Sequence, residues 1–382
     1  MNLLYKIFVD PFVQMGAAPD LLVQTLWEGL VGGVLYSLIA LGFVLIFKAS
    51  GVFNFAQGIM VVFAALTLVG LNEQGIPAGL SILVVVVGAA LAAWWFYRAR
   101  AASADPRKAR ATPEERRRWL IGIGIALFGV ASFLLFQRSV PGFVALAITV
   151  GVMFVLAVGI EKLVLRPLVN QPDIILFMAT FGLTYFLIGL GELVFGGNPK
   201  VMIAGELGLP KGSYEVKMLG GFVSFQKIDI AAAVIASIMV AALAVFFQKT
   251  RIGRALRAVA DSHKAALSVG ISLNQIWVIV WFTAGIVALI TGIMWGARSD
   301  VSFALEIVAL KALPVLILGG FTSIPGAIVG GLIIGIGEKL GEFYWGPLIG
   351  GGIESWLAYF IALGFLLFRP QGLFGDKIIE RI

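Results

Sequence analysis

The sequence contains no cysteine and a single histidine, His263. A disulfide framework, a thiol nucleophile and a cysteine or histidine metal cluster are thereby excluded. Charge is scarce as well: 13% of the 382 residues are Asp, Glu, Lys or Arg, and 60% are hydrophobic, whereas soluble domains carry about a quarter charged residues. A soluble fold of this size would have to cover its surface with polar groups, and only lipid tolerates an apolar exterior on this scale. A soluble enzyme or a nucleic-acid binder is excluded on composition. The chain also lacks a GxxxxGK[ST] segment, so it does not hydrolyse ATP in the P-loop manner by itself. Its start, residues 1–20, lacks a charged head followed by a clean apolar core, because Asp10 and Pro11 interrupt it. It reads as an amphipathic segment on the membrane surface and not as a cleaved signal.

What is present is a series of apolar runs of the length that crosses a bilayer, about 20 residues each. They lie at 21–47, 52–71, 79–97, 119–136, 143–163, 173–195, 229–248, 273–295 and 353–368, with two further runs at 306–320 and 324–343 joined by a tight turn. The expected fold is therefore an all-α transmembrane bundle of ten or eleven spans over residues 21–375, with a short tail at 376–382. The net charge of +7 is concentrated in a few gaps between these runs. Loop 98–118 holds Arg98, Arg100, Arg107, Lys108, Arg110 and Arg116 to Arg118 against Asp105, Glu114 and Glu115. Such an excess marks a cytoplasmic loop. Counting spans from there puts 162–172, the basic loop 249–272 and the tail from Arg369 on the same side. The N-terminus and the Gly-rich loop 196–228 then lie outside, the latter as a hairpin or cap.

Glycine is frequent, 47 residues, and much of it falls inside spans, as at Gly29, Gly32 and Gly33 or Gly326, Gly330, Gly331 and Gly335. Small residues at that spacing let helix backbones approach closely. Asn54 and Gln57 stand three apart beside Gly58, where buried amides need partners. A helix cap and a substrate path explain them equally well. Among charges near spans, Glu192, Glu338 and Lys339 read as interfacial, their heads reaching the membrane surface. Lys311, flanked by Ala309, Leu310, Ala312 and Leu313, has no such route and is expected inside the bundle, with a partner outside its own helix because Glu306 lies five residues away. From Arg251 to Gly270 runs an amphipathic basic pattern with the pair Ala265 and Ala266. A helix seated in a partner's groove and one lying on anionic lipid both fit it.

Seven stretches in succession carry a resemblance. They are Gly33–Gly42 in the first span, Phe53-Asn54-Phe55-Ala56-Gln57-Gly58, Leu165–Leu168, Thr250–Gly270, Leu310-Lys311-Ala312, Gly319–Ala327 and Arg369-Pro370-Gln371-Gly372-Leu373-Phe374-Gly375. From about residue 24 to 375 the chain resembles the permease subunits of branched-chain amino acid ABC importers. The resemblance implies a multi-pass protein of the bacterial inner membrane, no enzyme, that forms a path for branched-chain amino acids or a related small polar solute. It implies three kinds of partner beyond the lipid itself: a second permease, two cytoplasmic ATPase subunits that use ATP, and an extracytoplasmic solute-binding protein. No nucleic acid and no cofactor bound to this chain are expected. Loop 249–272 is similar to the family's coupling helix, which assigns Arg254, Arg257, Ala265, Ala266 and Gly270 to ATPase docking. The path would be lined by Asn54, Gln57, Thr180, Thr184 and Lys311. Two departures stand out: Gln57 and Ile59 occupy positions where relatives usually carry His and Glu, and the region around 98–118 looks like an inserted hairpin of spans. An ion-coupled carrier would instead need a buried acid, for which Glu192 is the candidate, and a membrane enzyme would need a polar cluster that the lone His263 does not supply.

Overall fold

The computed structural model describes residues 3–375 apart from 52, 75–77, 104–119, 121–122, 125–126, 128, 131–139, 169–170, 203, 262–265 and 267. Most of the expected span at 119–136 and most of the basic loop 98–118 therefore lie outside the described residues. The rest is helical apart from one hairpin and the connecting loops. In chain order α1 (Leu3–Phe8) and α2 (Asp10–Ala17) precede α3 (Pro19–Ser50), α4 (Gln57–Gln74) and α5 (Ala78–Ser103). After α6 (Gly142–Gly159) and α7 (Asp173–Phe195) come β1 (Ser213–Met218) and β2 (Gly221–Gln226). The chain continues with α8 (Lys227–Lys249), α9 (Arg251–Asp261), α10 (Leu273–Arg298), α11 (Leu305–Leu310), α12 (Ala312–Gly319), α13 (Ile324–Leu340), α14 (Gly346–Ile349) and α15 (Leu357–Phe368). Among the described residues six helical segments are long and apolar enough to cross a membrane, and α4 and α15 are shorter apolar helices.

The first long helix, α3, is the mast of the bundle. Pro19 starts it, and Gly51 ends it with a left-handed φ of 71° and an N–H bonded to the Phe47 carbonyl at 2.8 Å. Its side chains are buried almost continuously from Val31 to Ile46, so other helices surround it. Against it lies α13, and the two approach through glycine. A Cβ on Gly335 would stand 2.3 Å from the Gly33 nitrogen, and one on Gly33 would stand 2.6 Å from the Gly331 carbonyl oxygen. The hydroxyl of Ser37 on the same face donates to its own Gly33 carbonyl at 2.8 Å and to the Ile328 carbonyl of α13 at 3.3 Å.

The two ends of the bundle carry different furniture. At one end β1 and β2 form an antiparallel hairpin within 196–228, anchored on α3 by Trp27 against Phe225 at 5.2 Å and by Gln24, whose side-chain carbonyl accepts from the Ser224 N–H at 2.9 Å. On that end too, α1 and α2 meet the turn after α13, where the Trp345 indole N–H donates to the Ile7 carbonyl at 3.0 Å and Phe12 packs edge-on at 5.9 Å. The opposite end holds α9 and the turn between α12 and α13. There the segment 371–375 is laid along α12, its Leu373 N–H bonded to the Leu318 carbonyl at 2.8 Å.

Three runs differ from expectation. The run 52–71 becomes helical only from Gln57, and the run 306–320 is broken at Lys311 into α11 and α12. The last run begins as a short turn, so α15 starts at Leu357 rather than 353.

Gly335→Leu should cost about 3 kcal/mol or more, because the added side chain meets backbone that has no room to move. The matched control is Gly364→Leu, where a Cβ meets nothing within 4 Å. Thermal unfolding in detergent should show a clear drop in Tm for the first substitution and little change for the second.

Candidate functional site

The residues between α3 and α4 turn back into the bundle. Gln57 lies against Gly42, since a Cβ on Gly42 would stand 2.1 Å from the Gln57 side-chain nitrogen. Gly42 is eight residues before the end of α3, about 12 Å along the axis. On its other side Gln57 donates through Nε2 to the Ala284 carbonyl at 3.3 Å, and Ala284 is eleven residues into α10, about 17 Å from that helix's start. The first turn of α4 thus sits near the middle of the apolar layer. Non-helical backbone at that depth survives only where protein covers it.

That cover can be followed group by group. The Asn54 side-chain oxygen accepts from the Ala56 N–H at 3.0 Å, a turn that feeds the chain into α4. Thr180 of α7 ties down both sides of it: its hydroxyl oxygen accepts from the Phe55 N–H at 3.2 Å and lies 3.2 Å from the Phe53 carbonyl. The Phe53 ring stacks on Phe43 at 4.9 Å, and Phe55 packs on Phe181 at 5.1 Å. Thr184, one turn further along α7, spends its hydroxyl on the Thr180 carbonyl at 3.0 Å. Asn54, Gln57, Thr180 and Thr184 are all buried, and the first three of them meet at this re-entrant turn. The Asn54 Nδ2 and the Gln57 Oε1 have no hydrogen-bond partner among the described residues.

Next to this turn passes the broken helix. Residues of α11 cover the start of α4, where a Cβ on Gly58 would stand 3.0 Å from the Ala309 methyl and 3.5 Å from Glu306 Cγ. Lys311 sits at the break and points away from Gln57, toward α13. Its ammonium lies 3.5 Å from Glu338 Oε2 and 3.3 Å from Glu354 Oε1, and 5.8 Å from the centre of the Tyr36 ring. The Tyr36 hydroxyl donates to the same Glu338 oxygen at 2.9 Å, and Lys339 pairs with the other oxygen of Glu354 at 2.9 Å. Lys311 therefore does meet partners outside its own helix. The interfacial reading of Glu338 is overturned: the residue has 0% exposure and belongs to the interior network. Its position after Gly337 on α13 faces α3, and only the helix packing shows that. Glu192 is exposed, and the buried acids are Glu161, Asp229 and Glu338 instead. Asp229 is held by Arg298 at 2.8 Å.

At the opposite end, α9 covers the end of α8. Gly253 is required there, because a Cβ would stand 2.4 Å from the Phe246 and Phe247 carbonyl oxygens. Arg257 donates to the Phe247 carbonyl at 3.0 Å and Arg254 to the Lys249 carbonyl at 3.5 Å. Both guanidinium groups thus cap the negative end of α8. Leu256 and Val259 point inward, while Arg251, Ile252 and Arg254 are exposed. Ala266 is 1% exposed, so its small size serves packing within this chain, and the residues left facing outward are on the outer side of α9. Ala265 lies outside the described residues. Gly270 ends this segment with φ at 81°, and the Ile271 N–H returns to the Ala266 carbonyl at 3.0 Å.

Six described helical segments long and apolar enough to cross a membrane make this a polytopic membrane protein. Comparison with known proteins makes this specific. Residues 25–108 and 120–369 match the family described as branched-chain amino acid transport system, permease component, and the chain belongs to that family. It is 28% identical over 275 residues to the high-affinity branched-chain amino acid transport system permease protein BraD of Pseudomonas aeruginosa, covering 69% of this chain and 85% of the relative. To the permease protein LivH of Escherichia coli it is 24% identical over 273 residues, with the same coverage. A probable LivH of Methanocaldococcus jannaschii is 25% identical over 265 residues, 66% of this chain and 77% of the relative. No solved structure matches. The protein is accordingly a multi-pass permease of the inner membrane.

Lys311→Met should be strongly destabilising, by about 3 to 5 kcal/mol, since it leaves Glu338 buried beside a tyrosine with no cation. Adding Glu338→Gln should recover much of the lost folded yield. Detergent-stable yield and Tm of the single and double variants check this; equal losses in both would show that the pair does not act as a unit.

Proposed function

We propose that this chain is the membrane-spanning subunit of an ABC importer and carries branched-chain amino acids or a related small zwitterionic solute inward. The observation that carries the reading is the match to the permease family over nearly the whole bundle, in a chain whose sequence holds no nucleotide-binding loop. Energy must then come from separate subunits. Two cytoplasmic ATPases would supply it, a second permease would complete the path, and an extracytoplasmic binding protein would deliver solute to the end of the bundle that carries the β1–β2 hairpin. In this arrangement α9 faces the cytoplasm with loop 98–118 and the tail, and the N-terminus lies outside.

The docking face is the outer side of α9. Arg251, Ile252 and Arg254 project from it, while its inner side is locked to α8 through Gly253 and Arg257. Closure of the ATPases on ATP would press on this helix and be passed directly to the end of α8 and to α3, which α9 also touches. The re-entrant turn, held between α3, α7 and α10, would then open alternately to the two sides. Solute identity follows the activity named for the relatives, and the amide and hydroxyl groups of Asn54, Gln57, Thr180 and Thr184 suit a polar solute.

The permease should copurify with an ATPase when the two are expressed from their own genes, and uptake into vesicles should require ATP inside the cell-side compartment. Ile252→Asp with Arg251→Glu should lower ATPase recovery about tenfold or more, a loss of the size expected when an apolar anchor and a charge contact are removed from one interface. Uptake that persists without ATP and collapses when the ion gradient is dissipated would contradict the reading and make the protein an ion-coupled carrier. Retention of the ATPase in the double variant would move the docking face elsewhere.

A further inference from the structure

The re-entrant turn and the broken helix meet at one place, and their unmatched polar groups are complementary to a particular kind of ligand. Asn54 offers a donor, Nδ2, and Gln57 an acceptor, Oε1, both in residues at most 1% exposed and both without a partner among the described residues. Leaving a buried polar atom unpaired is costly, and here two of opposite kind are left three residues apart at the first turn of one helix. Across Gly58 stands a third group. Glu306 of α11 is half-buried, and its carboxylate has no hydrogen-bond or ion-pair partner among the described residues, although Lys311 five residues on is fully engaged with Glu338 and Glu354.

The backbone adds its own polarity. Of the first-turn N–H groups of α4, Gln57 donates to the Asn54 carbonyl and Met60 to the Ala56 carbonyl, which leaves those of Gly58 and Ile59 at the positive end of that helix's dipole, while α11 ends at Leu310 with its negative end in the same layer. Half-helices that stop inside a membrane protein present such ends to charged parts of a solute. Gly58 is what lets them come together, since any side chain there would push α11 off α4.

We propose that this junction recognises the zwitterionic end of an α-amino acid. The solute ammonium would be taken by the Glu306 carboxylate and Gln57 Oε1, and its carboxylate by Asn54 Nδ2 and the N–H groups of Gly58 and Ile59. The inference rests on the permease reading and adds the head-group chemistry to it. A simple carboxylate would be repelled by Glu306, and a neutral amide would leave that acid uncompensated.

The test uses the assembled transporter in membrane vesicles with L-leucine as the probe. Glu306→Gln should lower the maximal ATP-driven uptake of L-leucine about tenfold or more without shifting half-saturation, which the binding protein sets. Glu306→Asp should restore much of it because the charge is kept. Asn54→Asp, isosteric and still able to accept from the Ala56 N–H, should cut uptake similarly by placing an anion against the solute carboxylate. Melting temperatures of all three separate loss of recognition from loss of fold, and a Glu306→Gln protein too unstable to assay leaves Asn54→Asp to decide. Unchanged L-leucine uptake in a folded Glu306→Gln or Asn54→Asp variant overturns the proposal. ATP-driven uptake of urea or acetamide in place of leucine overturns the head-group assignment and leaves the permease reading standing, whereas no ATP-driven uptake of any of the three overturns both.

Discussion

The close crossing of α3 and α13 is the constraint on which the rest of the bundle depends. In lipid there is no hydrophobic drive to bring helices together, so contact has to come from packing and from polar groups that would otherwise face hydrocarbon. Here the backbones of Gly33, Gly331 and Gly335 replace side chains altogether. That approach brings Tyr36 within reach of Glu338, and Glu338 in turn holds Lys311 at the break between α11 and α12. One end of the broken helix is thereby moored to the mast. Further along α3, Gly42 provides the notch that admits Gln57. Two sets of small residues on a single helix thus position both discontinuities.

These two discontinuities have opposite electrostatic characters. Around Lys311 the charges are paired with one another: two acids, two lysines and a tyrosine hydroxyl are linked, with only the Glu338 Oε1 of that set left buried without a partner among the described residues. Around Gln57 and Asn54 the groups are left open, with a donor and an acceptor unpaired in the interior. In the proposed site a donor and an acceptor are left for a solute to complete, whereas Glu338 already holds a cation and a hydroxyl.

Much of this was legible in the sequence, and what was not has a physical cause. Apolar length revealed the spans, because the bilayer sets that length, and the clustered Arg and Lys of 98–118 and 249–272 marked gaps between them. Glycine spacing marked α3 and α13 as helices whose backbones can be approached closely, but not that they meet each other. Hydropathy could not show that 53–56 turns inward, since a re-entrant turn rich in Phe is as apolar as a span. It likewise hid the break at Lys311, where one charge sits in an unbroken apolar run. Glu338 was misjudged because its neighbour Lys339 and the nearby Glu342 make the end of α13 look like a membrane edge; its burial depends on α3, which is remote in the chain. Ala266 pointed to a partner, but it is buried within this chain, and which side of α9 is left facing outward is set by its packing on α8.

The absence of cysteine allows the depth of the re-entrant turn to be measured directly, because any introduced thiol is unique. A spin label on Phe55→Cys, a half-buried position on the turn, should report by power saturation with oxygen and a polar nickel chelate a depth close to that of a label at position 181 of α7, whose ring Phe55 touches. A label at Gly51, exposed at the end of α3, should read the headgroup region. If the label at 55 reads the same headgroup depth as that at 51, the turn runs along the membrane surface, α4 is an ordinary span, and the account of two broken helices meeting inside the bundle is wrong.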